Sequence, residues 1–439
     1  MNIRLKKKRL PNGVHLPDCK LTAASPIEKA PIPESVILPV QQNLGAPNKA
    51  LVRRGDKVLT GQKIADSDKY VSAPIHASCS GEVASVTTGI NPRTGEVTDI
   101  ITITSDGADK WIELDVPKNP EAMTNEEILK RVREAGIVGM GGATFPAHVK
   151  LAPPKGKTID TLILNGCESE PYATADHRVM LEYGDKMLGG LQLIQKLLGA
   201  KNVYIAVEDN KEDAMDNLEN LIGKKGFPFQ IVPMEAKYIG GAEKTLIKTI
   251  VKREVPIGGL PLDVGVVVHN VATAKAIYDA IYEGKPLIER VVTVTGAVKN
   301  PKNLLVRLGT PIKSLIDFCS GMVAEGQVIM GGPMMGVAVF DLNSPVTKGT
   351  TCLLVKAPQP IKETNCINCG RCIAVCPAGL MPRVYPRYIK KGQYEDCQSY
   401  YIECCFECGM CSYVCPANIP HVQYIKIAKK EISRRKAKK

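Results

Sequence analysis

The feature that most constrains this chain is a cysteine pattern that occurs twice near its C-terminal end. The segments "CINCGRCIAVCP" (366–377) and "CFECGMCSYVCP" (405–416) both have the spacing Cys-x2-Cys-x2-Cys-x3-Cys-Pro. Ten of the fifteen cysteines in the 439-residue chain lie after residue 365. Because no secretory signal is evident at the N-terminus, this local density indicates bound metal rather than disulfides. The pattern predicts a separate metal-cluster module at this end of the chain.

The spacing is typical of paired [4Fe-4S] clusters. A cubic cluster takes four thiolates, and the loop of three cysteines supplies three of them. In two-cluster ferredoxins the fourth cysteine, which precedes proline, ligates the other cluster. The sequence therefore predicts two interleaved ligand sets: Cys366, Cys369, Cys372 and Cys415 for cluster 1, and Cys405, Cys408, Cys411 and Cys376 for cluster 2.

Zinc is the alternative metal for such cysteines. Zinc sites typically use paired Cys-x2-Cys knuckles separated by a longer loop, so the spacing favours an iron-sulfur cluster. Cys404 adjoins Cys405 and competes as a ligand, although its spacing to Cys408 is one residue too long. Cys397 and Cys404 are predicted to be packing thiols. The remaining cysteines are scattered and are expected to be structural: Cys19, Cys79, Cys167, Cys319 and Cys352.

The net charge of +12 is concentrated at the two ends of the chain. Residues 1–10 carry +5 and residues 426–439 carry +7, so the body between them is neutral. Basic ends on a neutral body favour an acidic partner or an anionic membrane surface, with solvated ends as the alternative. Nucleic-acid binding is not expected, because aromatic residues make up only 5% of the chain and no basic face is linked to them. No apolar run reaches the length of a membrane span, and we expect an intracellular protein.

The pattern along the chain predicts a multidomain α/β and β protein. After a basic N-terminal arm (1–29), residues 30–115 read as a barrel-sandwich; Asp68-Lys69 resembles a lipoyl site, but the segment up to Pro74 is shorter than in carrier domains. Residues 120–289 begin with a capping box at Thr124 and Glu127 and then alternate strands and helices, which predicts a Rossmann-like domain. Residues 290–345 read as a small α+β module and 356–364 as a linker. The cluster module (360–425), expected to be helical, and a basic C-terminal tail (426–439) follow.

Four loops in the alternating region carry residues suited to a phosphorylated, flat ligand. They are "GMGGATFPAHVK" (139–150), "LNGCESEPYATADHR" (164–178), "YIGGAEKT" (238–245) and "HNVAT" (269–273). Glycines allow close approach of the backbone to a phosphate or a ring, and Lys150 supplies a point charge. The second and fourth loops follow strands, where ligands of parallel sheets bind.

Together these loops resemble the flavin-bearing, NADH-oxidising subunit of respiratory complex I. The resemblance implies that FMN is held by Gly139, Gly141, Gly142, Lys150, Asn165, Ser169, Glu243, Asn270 and Thr273. It also implies that Phe145, Glu168 and Glu170 face the nicotinamide nucleotide. The chain departs from the family pattern where Met140 replaces an arginine, Thr144 a glycine, Cys167 an aspartate and Ala242 a glutamate.

The order of the segments resembles one family in particular, the RnfC family of Rnf electron-transport complexes. Its members have a barrel-sandwich, an FMN/NADH domain, a β-grasp (SLBB) module and a double [4Fe-4S] module in this order. That resemblance implies a peripheral subunit on the cytoplasmic face of a membrane complex that exchanges electrons between NAD(H) and ferredoxin and translocates Na⁺ or H⁺. It implies the other Rnf subunits as partners, non-covalent FMN, and no catalytic residues beyond the flavin.

A combination of NADH, a flavin and [4Fe-4S] clusters is chemically reasonable even when the family resemblance is set aside. NADH delivers two electrons as a hydride, a [4Fe-4S] cluster takes one, and a flavin connects the two. The residues leave two alternatives open. One is a non-catalytic iron-sulfur adaptor, favoured by Met140, Cys167 and Ala242. The other is a cobalamin reductase of bacterial microcompartments, which resembles the same flavin and cluster modules.

Overall fold

The structure is a computed structural model that describes residues 3–10, 12–92, 95–357 and 362–436. Residues 358–361 of the predicted linker lie outside the described residues. So do residues 1, 2 and 11 of the N-terminal arm and residues 437–439 of the basic tail. Within the described ranges, no helix combines the length and apolar composition needed to cross a bilayer.

The first strand, β1 (Ile27–Lys29), joins a sheet of a later domain, and the seven strands after it form the barrel-sandwich. These seven lie in two sheets, ordered β2-β8-β7-β4 and β3-β5-β6. Alternate residues such as Val36, Leu38, Ile101 and Ile103 are fully buried between them, as expected for strands with one face on a core. Their bounds are β2 (Ser35–Pro39), β3 (Lys49–Ala50), β4 (Lys57–Val58), β5 (Lys63–Asp66), β6 (Ile75–His76), β7 (Gly81–Ile90) and β8 (Val97–Ser105).

The second domain has a parallel four-stranded sheet of order β11-β10-β9-β12. Its strands are nearly continuous apolar runs, as in sheets covered by helices on both faces. The chain runs outward from β9 through β10 to β11 and then returns to the other side of β9 as β12. The loops after β9 and β12 therefore open at a switch in strand order, where such sheets bind ligands. The strands are β9 (Thr161–Gly166), β10 (Asn202–Glu208), β11 (Gln230–Met234) and β12 (Val266–Asn270).

Seven helices belong to this domain, and the first one confirms the predicted capping box. The Thr124 hydroxyl accepts from the Glu127 N–H at 3.3 Å, and the Glu127 carboxylate accepts from the Thr124 N–H at 2.7 Å. Gly284, with φ of 64°, follows the last helix as predicted. The helices are α1 (Asn125–Glu134), α2 (Ala147–Lys150), α3 (Ala175–Glu182), α4 (Gly184–Leu198), α5 (Glu212–Lys225), α6 (Glu243–Val251) and α7 (Val271–Tyr282).

The third domain is a six-stranded mixed sheet of order β1-β14-β13-β17-β15-β16 with one helix. The predicted hairpin is its centre, because β13 and β14 pair antiparallel. The sheet extends beyond residues 290–345, since β1 comes from the N-terminal segment and β17 from residues 352–356. Its elements are β13 (Glu289–Gly296), β14 (Lys302–Arg307), α8 (Ile312–Phe318), β15 (Gln327–Met330), β16 (Val337–Val339) and β17 (Cys352–Lys356).

The cluster module consists of short helices and one long helix: α9 (Arg371–Ala374), α10 (Tyr385–Ile389), α11 (Met410–Tyr413) and α12 (His421–Lys436). Helix α12 covers most of the segment predicted as a basic tail. Ile425, Ala428 and Ile432 follow helical spacing and are buried in the module. Lys429 donates to the Cys405 carbonyl at 2.8 Å. The segment is therefore a packed helix with a basic exposed face, and not a free tail.

The basic N-terminal arm also lies on the body of the protein. The Leu5 N–H donates to the Ile231 carbonyl at 2.9 Å, so the arm runs along the edge strand β11. Arg4 forms ion pairs with Glu212, Asp216 and Glu219 on α5. Part of the basic charge that favoured an external acidic partner is thus neutralised within the chain.

Candidate functional site

A cavity of about 390 Å³ opens at the carboxyl ends of β9 and β12. It brings together the four loops that the sequence singled out, although they are far apart along the chain. All but Gly142 and Thr273 of the residues predicted to contact FMN or the nucleotide line it: Gly139, Gly141, Phe145, Lys150, Asn165, Glu168, Ser169, Glu170, Glu243 and Asn270. Cavities of this size hold ligands as large as a nucleotide cofactor.

The two predicted residues that do not line the cavity, Gly142 and Thr273, shape the Gly-rich loop. Gly142 has φ of 107°, a conformation that favours glycine, and an added Cβ would meet no atom within 4 Å. Thr273 is fully buried, and its hydroxyl accepts from the Met140 N–H at 2.9 Å. It therefore holds the loop from behind the cavity. Thr144, where the family pattern has glycine, keeps a positive φ of 54°.

The loop after β9 is tied to the third motif by Asn165. The Asn165 amide donates to the Gly241 carbonyl at 2.8 Å, and its oxygen accepts from the Cys167 N–H at 3.1 Å. Cys167, where the family pattern has aspartate, is fully buried away from the cavity and packs with the core under β10. It therefore supplies no polar group to a ligand.

The two glutamates predicted to face the nucleotide both accept hydrogen bonds from backbone amides. The carboxylate of Glu168 accepts from the N–H groups of Asp176 (2.8 Å) and His177 (3.1 Å) at the start of α3. The carboxylate of Glu170 accepts from the N–H groups of Met334 (3.2 Å) and Met335 (2.8 Å) in the third domain. Burial raises the pKa of Glu170 to about 6. Both side chains line the cavity, but their carboxylates also hold neighbouring elements in place.

The chemistry of the cavity wall fits FMN. Glycine backbone, the Ser169 hydroxyl and the Lys150 ammonium are the groups that bind phosphate and ribityl oxygens. Lys150 forms an ion pair with Glu243 across the wall, joining the end of α2 to the start of α6. His269 lines the same cavity, and its Nε2 is buried with no hydrogen-bond partner among the described residues. A bound ligand with a polar edge would satisfy that atom.

Asp176, Tyr238 and Phe406 are among the lining residues to which the sequence analysis gave no role. Asp176 is buried and accepts from the Asn270 amide at 2.7 Å; burial and the neighbouring Glu168 carboxylate raise its pKa. Its position as the fourth residue of "ATADHR", the second residue of α3, was the only sequence signal. Tyr238 begins the third of the predicted loops, whereas Phe406 comes from the cluster module, and no local pattern brings it to the site.

The cysteines gather in the two groups predicted. One cavity in the cluster module is lined by Cys366, Cys369, Cys372 and Cys415. A second is lined by Cys405, Cys408, Cys411 and Cys376. In the described part of the chain, no three His, Cys, Asp or Glu side chains converge on one point as a single ion requires. The thiols instead surround a space, which fits a cubane better than a zinc ion.

The second cysteine cavity is enclosed by apolar walls. The Cys376 sulfur accepts from the Leu380 N–H at 3.4 Å and the Cys405 sulfur from the Glu407 N–H at 3.3 Å, as sulfur ligands of clusters do. Burial and the nearby Cys405 raise the pKa of Cys408 to about 11.

The two unassigned cysteines of the module line neither cysteine cavity. Cys397 is fully buried in an apolar cluster with Tyr385 and Ile402. Cys404 is partly exposed and borders a groove between α6 and the cluster module. All fifteen cysteines are free thiols, which agrees with the interpretation of metal rather than disulfides.

The flavin-type cavity and the second cysteine cavity are neighbours. Phe406 lines both of them. The Tyr238 hydroxyl, on the wall of the flavin-type cavity, donates to the carbonyl of Cys408 at 2.8 Å. The second cysteine group therefore lies beside the cavity, while the loop of Cys366 and Cys369 is exposed, with Ile367 68% accessible.

Family models match four consecutive segments. Residues 8–108 match the RnfC barrel sandwich hybrid domain, 132–279 the Nuo51 FMN-binding domain, 291–338 the SLBB domain and 361–419 the 4Fe-4S dicluster domain. A solved structure of an NAD⁺-reducing [NiFe]-hydrogenase aligns with a TM-score of 0.50 at 18% identity, covering 70% of this chain and 61% of that one. That alignment is evidence for the fold alone.

Curated relatives match over almost the whole length. A subunit of the proton-translocating ferredoxin:NAD(+) oxidoreductase complex of Clostridium ljungdahlii is 47% identical, covering 90% of this chain and 87% of the relative. A subunit of the Na(+)-translocating ferredoxin:NAD(+) oxidoreductase complex of Acetobacterium woodii is 42% identical, covering 90% and 91%. The chain therefore belongs to the RnfC family of ion-translocating oxidoreductase complexes and carries that family's FMN-binding and 4Fe-4S dicluster domains.

Proposed function

We propose that this chain exchanges a hydride with NAD(H) at an FMN-bearing cavity and conducts single electrons between that cavity and a partner through two [4Fe-4S] clusters. FMN supplies the conversion between two-electron hydride chemistry and one-electron transfer. The observation that carries the proposal is the contact between the cavity and the second cysteine group, made by Phe406 and by the Tyr238–Cys408 hydrogen bond of 2.8 Å.

We propose the same FMN-binding residues as in the sequence analysis and give each one the role that its contacts support. Gly139, Gly141, Ser169 and Lys150 would bind the phosphate and ribityl groups, and Asn165 and Asn270 would orient the walls. Gly142 and Thr273 would shape the Gly-rich loop without lining the cavity. Glu243 would act with its partner Lys150.

The nucleotide is proposed to enter over Phe145, whose ring lines the cavity. Glu168 and Glu170 lie on the same wall, where their fixed negative charge favours the approach of ribose hydroxyls over that of phosphates.

We infer that the electron path runs from the cavity to cluster 2, held by Cys405, Cys408, Cys411 and Cys376, and then to cluster 1. The ligands Cys366 and Cys369 of cluster 1 are exposed, and the exposed side chain of Ile367 stands between them. This surface is the proposed docking face for the next electron carrier, another member of the complex that communicates with ferredoxin.

Membership in the family supports a peripheral subunit on the cytoplasmic face of a membrane complex that couples electron transfer to ion movement. Two relatives of similar identity are named for different ions, protons at 47% and Na⁺ at 42%. The sequence identity of this subunit therefore does not separate relatives by the ion for which they are named. We propose that the ion path lies in the membrane partners.

Anaerobic purification followed by measurement of iron, sulfide, FMN and NADH-dependent dye reduction tests the proposal. We expect about eight irons and eight sulfides, one FMN, and dye reduction that requires FMN. Full cluster content with no FMN binding and no NADH oxidation would support the iron-sulfur adaptor instead.

A further inference from the structure

The N-terminal arm reaches two walls of the FMN cavity. Val14 and Tyr238 exchange backbone hydrogen bonds of 2.8 and 3.0 Å, so the arm pairs with the segment that contacts cluster 2. Farther on, the Asp18 carbonyl accepts from the Tyr172 N–H at 2.9 Å, and the Thr22 and Thr174 hydroxyls are hydrogen-bonded. The arm therefore adjoins both Tyr238 and the loop of residues 167–174 after β9, here called the β9 loop.

Lys20 is the residue of the arm that makes the most contacts with the β9 loop. Its ammonium donates to the carbonyls of Glu168 at 2.8 Å, Glu170 at 2.9 Å and Ala173 at 2.6 Å. An ammonium has three donors, and all three are used here on one loop. Hydrogen bonds from a charged donor are stronger than neutral ones, and three of them converge on a segment that otherwise has no regular structure.

The charge of Lys20 is not neutralised by a side chain. Among the described residues, no carboxylate forms an ion pair with Lys20, whereas the nearby Lys211 is paired with Glu208 at 3.0 Å. Burial and then the charge of Lys211 lower the pKa of Lys20. The structure thus keeps a half-buried cation behind the loop that carries Glu168, Ser169 and Glu170, although its desolvation is unfavourable.

We propose that Lys20 is a positioning residue of the FMN site: it holds the β9 loop in its binding conformation and places a fixed positive charge behind the loop. The inference rests on the proposed function, because it takes FMN as the ligand of the cavity. A positive charge close to a flavin favours the reduced, more negative form, so Lys20 would raise the flavin midpoint potential. The arm would then be part of the redox site rather than an electrostatic tail.

The test compares full-length wild type, Lys20→Met and Lys29→Met, each purified anaerobically with its clusters and titrated with FMN. Lys29 is an exposed residue of the same arm, at the end of β1, and serves as the matched control. For Lys20→Met we expect an FMN dissociation constant raised about tenfold or more, since three charge-assisted hydrogen bonds are lost. We also expect faster hydrogen exchange at amides 168–173 and a more negative flavin midpoint potential.

Lys20→Gln is the second variant, in case the methionine does not fold. It keeps two donors but no charge, so its loop exchange should be intermediate while its flavin potential shifts as in Lys20→Met. Unchanged FMN affinity, loop exchange and potential in folded Lys20 variants would overturn the inference. If wild type binds no FMN, the proposed function fails, and loop exchange in Lys20→Met against Lys29→Met still decides whether Lys20 holds the loop.

Discussion

Glu170 illustrates how a single side chain can serve both a ligand cavity and a domain contact. Its carboxylate lines the cavity and accepts from two backbone amides of the third domain. Because burial raises its folded pKa from 4.5 to about 6, the folded chain binds a proton between these values that the unfolded chain does not. The contribution of this group to stability therefore falls as pH rises from about 4.5 to 6.

We predict that Glu170→Gln flattens this part of the pH dependence of stability. The substitution removes at most about 2 kcal/mol of pH-dependent free energy of unfolding, because the pKa of Glu170 is raised from 4.5 to about 6 on folding. Thermal unfolding midpoints measured across the window from about pH 4.5 to 6 and on either side of it check the change, with the exposed Glu34→Gln as the control. A Glu170→Gln chain that keeps the wild-type pH slope would contradict the assignment.

The Lys150–Glu243 pair allows a second test at the residue scale. The pair joins α2 and α6 at the cavity wall, and both residues are assigned to FMN. We predict that the double variant Lys150→Ala, Glu243→Gln loses flavin occupancy and NADH oxidation at least tenfold but keeps its iron, because neither residue lines a cysteine cavity. Lys155→Ala, at an exposed site nearby, is the control. Wild-type NADH turnover by the double variant would exclude the pair from the site.

At the scale of residues, the sequence predicted best where a motif is local. The Gly-rich loop, the asparagines and the cysteines could be predicted because their spacing along the chain reflects their geometry. Lys20 and Phe406 could not, since Lys20 reaches the β9 loop from the N-terminal arm and Phe406 reaches the cavity from the cluster module through tertiary contacts. The roles of Glu168 and Glu170 depend on which backbone amides face them, and composition does not encode that.

At the scale of elements, the two cysteine loops interleave. Each loop of three cysteines shares its cavity with the fourth cysteine of the other motif. We predict that Cys366→Ser and Cys415→Ser change one cluster signal in electron paramagnetic resonance, and that Cys376→Ser and Cys408→Ser change the other. If Cys376→Ser instead alters the same signal as Cys366→Ser, the ligand sets are not interleaved.

Helix α12 gives a prediction opposite to that for a free basic tail. The many basic residues of the segment drew attention away from its apolar residues Ile425, Ala428 and Ile432. These residues are spaced to lie on one face of a helix, and that face is buried in the cluster module. Deleting residues 426–439 should therefore reduce the iron content and the stability of the module, because Ala428, Ile432 and the Lys429 contacts are lost. Lys426→Ala with Lys430→Ala, on the exposed face, should leave the iron content unchanged. Full iron content in the truncated chain would restore the tail interpretation.

At the scale of the whole molecule, the order of domains was predictable and their contacts were not. Strand and helix patterns predicted a barrel-sandwich, a Rossmann-like domain and a small α+β module, and the cysteine spacing predicted a cluster module. The β-grasp (SLBB) assignment came from the family resemblance, and family models match four segments in this order. The limits of these domains stay predictions. The third sheet takes β1 and β17 from outside the segment that its pattern marked, because strand pairing is non-local. The charge of the basic arm and of the last helix did not indicate that both segments pack on the body of the protein.

Cys405, Cys408, Cys411 and Cys376 lie next to the proposed FMN cavity, and Cys366 and Cys369 are exposed. We propose that electrons pass between NAD(H) and the clusters only through FMN. The most direct measurement starts with chemically reduced clusters, with excess reductant removed, and adds NAD⁺ anaerobically. Two cluster electrons and a proton convert one NAD⁺ to NADH, so loss of the cluster signals should match absorbance gained at 340 nm. We predict this reoxidation in the FMN-loaded chain and its absence in the same chain without FMN. Equal reoxidation by NAD⁺ without FMN, or persistent reduced clusters with FMN bound, would contradict the account.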